Sequence, residues 1–270
     1  MKFFLSLLLF SLINSVAGRT ENIKGINDNL YDRPYSIDEL KSGRNFLQKE
    51  TLEMELDDFD NPGMIWVERG KELFNSVLEK NNLSCNQCHN TNKNSLIGAP
   101  SNFPKLNKDN ISLINMEQQI NICIVDHMEA RPYPLESREL LSLSAYIAYK
   151  SKGLPMDIKI DSSNEKFFKR GKELYFERIG QMNLACNQCH NHLEGKYLRA
   201  EQISQGHING YPSYMMRWGV VASVHRRFQF CNEQARAEPL EIGHPDYNAL
   251  QLYIAWRGSG LLFESPSIRR

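Results

Sequence analysis

Two identical pentapeptides, Cys85-Asn86-Gln87-Cys88-His89 and Cys186-Asn187-Gln188-Cys189-His190, hold four of the chain's six cysteines. The C-x-x-C-H spacing is that of covalent c-type haem attachment. Two thiols three positions apart reach the two vinyl groups of one porphyrin, and the imidazole directly after the second thiol coordinates iron from the proximal side. A zinc ribbon built from paired CxxC has no need of a histidine after each second cysteine. A thioredoxin-like redox pair needs βαβ surroundings that are missing here. The pattern therefore implies two covalently bound haem c groups, attached through Cys85, Cys88, Cys186 and Cys189, with His89 and His190 as axial ligands.

The other two cysteines sit at matched places. Cys123 lies 34 positions after His89 and Cys231 lies 41 after His190, and they precede Tyr146 and Tyr253 by 23 and 22 positions. A Cys123–Cys231 disulfide is one reading for an exported protein. The other makes each cysteine the distal iron ligand of its own haem, an anionic strong-field donor that lowers the reduction potential relative to methionine. Met116, Met128, Met215, Met216, His127 and His207 are also available. Symmetry favours the cysteines, which alone recur at matched places.

The surroundings of the two differ. Residues 217–236 hold four arginines and one glutamate, a local charge of +3, with Arg227 four positions before Cys231 and Arg236 five after it. Cationic neighbours favour thiolate over thiol, and guanidinium suits a tetrahedral oxyanion. Pairing with haem propionates would account for some of these arginines. Around Cys123 the sequence NICIVDHMEAR is less positive. One site reads as an electron relay, the other as a site for an anion.

The elements that position these residues are duplicated. Residues 69–90 and 170–191 share thirteen of twenty-two residues at an offset of 101, and YIAYKSKGL at 146–154 matches YIAWRGSGL at 253–261. Two matches in the same order mark a tandem duplication. Apolar spacing predicts helices over 68–78, 139–148, 167–179 and 247–256. Glycine, proline and asparagine are frequent between them, and no run of alternating strands stands out. The fold class implied is all-α, two tandem class I cytochrome c-like domains with much irregular coil. In such domains the porphyrin supplies much of the apolar interior. The domains are placed at residues 61–155 and 156–270, with the boundary near Gly153-Leu154-Pro155. Residues 18–60 form an N-terminal extension expected to pack on the first copy.

Lys2, the apolar run 3–13 and the small residues Ser15 and Ala17 read as a secretory signal over residues 1–17. Eleven residues span only about 16 Å as a helix, roughly half a hydrocarbon core. The mature protein is thus expected outside the reducing cytosol, with no membrane span and a periplasmic location. Lys and Arg number 32 against 32 Asp and Glu, which removes the simplest electrostatic argument for nucleic acid.

The segment HRRFQFCNEQARAEP, together with two CxxCH motifs and two cysteine distal candidates, resembles the SoxA family, the dihaem subunits of the SoxAX cytochromes of thiosulfate oxidation. The likeness covers most of the mature chain. The arginine-rich stretch around Cys231 is its specific part. The resemblance implies an L-cysteine S-thiosulfotransferase that conjugates thiosulfate to a cysteine of a SoxYZ-type sulfur carrier. Electrons would leave through haem to a small soluble cytochrome c, with a SoxX-type monohaem subunit completing a heterodimer. It also implies that Cys231 is the active-site cysteine, a persulfide in the family, and a ligand of the second haem. Arg227 matches the substrate-binding arginine and Cys123 the axial ligand of the first haem. The competing classes are a thiosulfate dehydrogenase making tetrathionate without a carrier and a non-catalytic dihaem electron-transfer protein. A dihaem peroxidase is disfavoured by the short chain.

Overall fold

The computed structural model describes residues 33–78, 82–91 and 95–270. The signal segment 1–17 and residues 18–32 of the extension lie outside the described residues. The helices are α1 (Lys49–Leu56), α2 (Met64–Asn75), α3 (Cys85–His89), α4 (Met116–Asp126) and α5 (Arg138–Tyr149). They continue with α6 (Glu165–Phe176), α7 (Cys186–His190), α8 (Val224–Gln234) and α9 (Pro245–Arg257). Strands of two or three residues join them: β1 (Lys105–Leu106) with β2 (Leu113–Ile114), and β3 (Tyr197–Leu198) with β4 (Glu201–Gln202). A three-stranded sheet is built from β5 (Ser213–Met215), β6 (Val220–Ala222) and β7 (Ser267–Arg269), in the order β6-β5-β7. Segments this short cannot display the alternation that marks a strand in a sequence. The architecture is the mostly helical, coil-rich tandem that the motifs imply, and no described helix is long and apolar enough to cross a membrane.

Each half is organised by one helix crossing, α2 on α5 and α6 on α9, and each crossing needs a glycine. A Cβ on Gly70 would stand 1.9 Å from the Ser142 carbonyl oxygen, and one on Gly171 would stand 2.0 Å from that of Ala249. No side chain fits there, so the glycine of the repeated RGKEL segment is a packing requirement in both copies. Phe74, Ile120, Ile124, Leu140 and Ile147 form the core of the first half, with Cys85 packed against it. In the second half an aromatic cluster fills the same place. Phe168 and Trp256 rings lie 4.9 Å apart, and Tyr175 and Tyr253 rings 5.2 Å apart.

The halves lie within one compact unit, residues 33–270. The linker is stitched to the chain's last segment through Gly153 N–H to the Phe263 carbonyl and Phe263 N–H to the Leu154 carbonyl, both 2.9 Å.

The described part of the extension packs chiefly on the second half, which corrects the expectation that it covers the first. The Tyr35 hydroxyl donates to the His190 carbonyl at 2.9 Å, and the Lys41 amide donates to Gln205 Oε1 at 2.8 Å. Buried Glu55 accepts from Arg44 Nε at 3.0 Å, from an Arg269 nitrogen at 2.7 Å and from the Ile268 amide at 2.8 Å. Ser42 donates to buried Glu264. A buried carboxylate must be paired and hydrogen-bonded, and the arginine that completes this network lies in β7. Asp58 does reach the first half, accepting from the Tyr149 hydroxyl at 2.7 Å and Lys152 at 2.8 Å.

Candidate functional site

The two CNQCH segments are presented by the same local device. Asn82 and Asn183 adopt left-handed φ values of 52° and 50°, in loops closed by the bridges Leu78–Leu83 and Ile179–Leu184. Asparagine is among the few non-glycine residues that tolerate this region. The glutamine inside each motif then reaches back to the backbone before its helix. Gln87 Oε1 accepts the Ser84 amide at 2.8 Å and Gln188 Oε1 accepts the Ala185 amide at 2.7 Å. This is half of a capping box and satisfies a donor that a one-turn helix would otherwise leave open.

At the second motif the histidine is prepared as a ligand. His190 Nδ1 lies 2.7 Å from the Ser204 carbonyl oxygen. A carbonyl can only accept, so the proton sits on Nδ1 and Nε2 is left with a lone pair for iron. Burial pulls the imidazole down to about 4, which keeps it neutral. Gly206, at φ 76°, closes on the ring; a Cβ there would come within 2.7 Å of His190 Cγ. At the first motif, Phe74 lies 6.4 Å from the His89 ring.

The expected distal cysteines are brought to their motifs. Cys123 on α4 lies close enough to Cys85 to raise its thiol, after burial, to about 11. Cys231 on α8 acts likewise on Cys186, raised by burial first to about 12, and on Cys189. All six cysteines are free, so no Cys123–Cys231 disulfide forms and each thiol stays with its own half. The caps match as well. Asn115 Oδ1 accepts from the Gln118 amide at 2.8 Å, and Ser223 Oγ from the Arg226 amide at 3.2 Å. Each cap stands eight residues before its cysteine. The end of α8 is pinned to the loop leading into Cys186, because the Met182 amide donates to the Ala235 carbonyl at 3.1 Å. Gly180, at φ 67°, leaves 2.1 Å between a would-be Cβ and that same oxygen.

Of the other distal candidates, Met116 and Met128 are buried in the first half's core, and Met215 in β5. Met216 and His127 are exposed. His207 bonds Gln205 at 3.0 Å, beside the loop whose Ser204 carbonyl holds the His190 ring. The donor set thus fits haem c at both motifs: paired thiols, an imidazole with a free Nε2 at the second, and a further cysteine close by.

Around Cys231 the four arginines take different places. Arg217 and Arg227 stack on Phe230, 5.0 and 5.1 Å from its centroid. Arg226 stacks on Trp218 at 5.2 Å and pairs loosely with Glu233 at 3.8 Å. Arg236 is exposed just beyond α8. Half-buried Arg227 shares its surroundings with Cys231 and Tyr211, whose own hydroxyl is shifted upward by burial. The residue at the matching place in the first half is Gln119, whose amide donates to Cys123 Sγ at 3.5 Å. The two sites therefore pair a thiol with a cation in one case and with a neutral amide in the other.

Sequence reading missed Ser204, Gly206, Tyr211 and Gln119. Ser204 acts through its backbone carbonyl and carries no side-chain signal. Gln119 could have been found by aligning the two cysteines and reading four positions back.

A family profile described as the SoxA/TsdA cytochrome c domain matches residues 69–156. The L-cysteine S-thiosulfotransferase subunit SoxA of Pseudaminobacter salicylatoxidans is 39% identical over 237 residues, 87% of this chain and 83% of that one. The protein of the same name from Paracoccus pantotrophus is 34% identical, covering 87% and 80%. The crystal structure of SoxXA from P. pantotrophus superposes with a TM-score of 0.81 at 33% identity, over 86% of this chain and 87% of that one.

Proposed function

The chain belongs to the SoxA family, and on that premise we propose that it is the L-cysteine S-thiosulfotransferase subunit that joins thiosulfate oxidatively to a cysteine of a SoxYZ-type carrier. The observation that carries this reading to a site is the placement of Cys231 on α8, four residues after Arg227 and beside the second CxxCH. The likeness to a SoxXA complex supports a SoxX-type partner. The export signal at 1–17 supports a periplasmic location.

Cys85, Cys88, His89 and Cys123 would hold one haem c, and Cys186, Cys189, His190 and Cys231 a second. When bound, the haem iron supplies one-electron acceptance. The protein's part is binding and orientation. Arg227, held against Phe230, offers a guanidinium to the sulfonate oxygens and brings the terminal sulfur of thiosulfate to the Cys231 sulfur. Forming the S–S bond to a thiol releases one proton and two electrons. A carrier thiolate then attacks, takes the thiosulfonate group and returns the Cys231 sulfur. The electrons leave to a small soluble cytochrome c.

Replacing Cys231 by alanine is the test. Carrier conjugation should vanish while intact mass still shows haem on both CxxCH motifs. Undiminished conjugation would refute the assignment. Tetrathionate formed from thiosulfate alone, with no carrier, would place the chain with thiosulfate dehydrogenases instead.

A further inference from the structure

Arg257, in the last turn of α9, is a fully buried cation, 1% exposed, and no described carboxylate pairs with it. One guanidinium nitrogen donates to the Gln205 carbonyl at 3.2 Å, and the other terminal nitrogen donates to Asn191 Oδ1 at 2.7 Å. Its Nε has no partner. The group lies over the Tyr175 ring, 4.4 Å from its centroid, and the Tyr175 hydroxyl donates to the same Asn191 oxygen at 2.8 Å.

The two acceptors are not arbitrary. Asn191 directly follows His190, and Gln205 directly follows Ser204, whose carbonyl takes the His190 proton. One planar, rigid group therefore clamps the two chain segments that together set the imidazole. Burying a charge without a counter-ion is unfavourable, and an apolar side chain would fill the space at less cost. The fork geometry is what guanidinium adds.

The first half supplies the contrast. Lys150 stands at the matching position of the repeat, and Phe74 at that of Tyr175. The Lys150 ammonium rests 5.3 Å from the Phe74 ring and 5.6 Å from the Tyr146 ring. A single ammonium on a flexible stem cannot fork across two chain segments.

We propose that Arg257 is a positioning residue of the second haem site, fixing the orientation of the His190 imidazole by bridging Asn191 and the Gln205 backbone. The proposal rests on the reading that Cys186, Cys189 and His190 hold a haem. Intact mass of the purified full chain tests that reading first, since absence of haem from the second motif in the unaltered protein removes it whatever Arg257 does.

The test of the proposal itself is the Arg257→Lys variant, which keeps the charge and loses the fork. It is followed by low-temperature EPR of the ferric protein. The second haem's signal is assigned by comparison with a variant lacking Cys186 and Cys189. Arg257→Lys should broaden the spread of g-values of the second haem and leave the first haem's signal as it was. Arg257→Gln should broaden it further. An unchanged second signal in Arg257→Lys would overturn the proposal, and so would equal broadening at both haems or loss of both, which mark general loosening of the fold.

Discussion

Changing Arg227 to glutamine makes the second thiol site resemble the first, where Gln119 holds the matching position. Among the described residues no carboxylate pairs with Arg227, and its guanidinium is fixed against Phe230 at 5.1 Å. Its charge is therefore available to an anion docked at Cys231. A unit charge pair about 5 Å apart at an effective dielectric of about 20 is worth about 3 kcal/mol. A charge-assisted hydrogen bond measured by mutation gives about 1.5–3 kcal/mol. Both routes predict that Arg227→Gln lowers kcat/KM for thiosulfate by about 10- to 150-fold. The assay is reduction of a soluble cytochrome c during carrier conjugation, at several thiosulfate concentrations. Haem content should match that of the wild type, because Arg227 is on neither CxxCH motif. The loss should shrink as salt is raised, since screening weakens the wild-type contact. A variant within twofold of wild type at low salt would refute the assignment of Arg227 to the substrate anion.

Other outcomes follow from packing and burial. Gly171→Ala places a Cβ 2.0 Å from a helix carbonyl. Overpacking of about 1–3 kcal/mol outweighs the roughly 1 kcal/mol helix gain of alanine, so thermal unfolding should move down by several degrees; an unchanged Tm would show that the crossing yields easily. Burial lifts the Glu136 carboxyl from 4.5 to about 7. The folded state thus binds this proton more tightly than the unfolded chain. Its favourable contribution is complete below pH 4.5 and is lost as pH rises through 7, by at most about 3 kcal/mol. Glu136→Gln should therefore match wild type in urea unfolding at pH 4.5 and exceed it at pH 8, and equal stability at both pH values would contradict the burial argument.

What the sequence made legible is what the duplication repeats. Gly70 and Gly171, Asn82 and Asn183, and Gln87 and Gln188 are identical pairs, and the structure gives each a local reason: a helix crossing, a left-handed turn and a cap. Such causes act within a few residues or at one invariant contact, so they leave a mark in the chain itself. Nothing local assigns the extension to the second half, because its partners are remote. Glu55 meets Ile268 and Arg269 across more than two hundred positions, and nothing near Glu55 names them. The His190 acceptor was invisible for another reason, being a backbone carbonyl that any residue at 204 would supply.

Comparing the halves position by position separates scaffold from chemistry. The residues that shape the CxxCH loop and the helix crossing are kept, whereas those facing the thiol and behind the imidazole have changed: Gln119 against Arg227 and Lys150 against Arg257. A neutral amide 3.5 Å from Cys123 can orient a sulfur lone pair toward a metal, but it offers no countercharge to a dianion that must shed water to reach it. The first site thus retains what a ligand needs and lacks what a substrate anion needs. The second has both, a cation beside the thiol and a forked clamp behind the histidine. Divergence at these positions is what selection for one transferase site and one electron-transfer site on a shared scaffold would leave, and it accounts for a chain of zero net charge concentrating arginine around one cysteine.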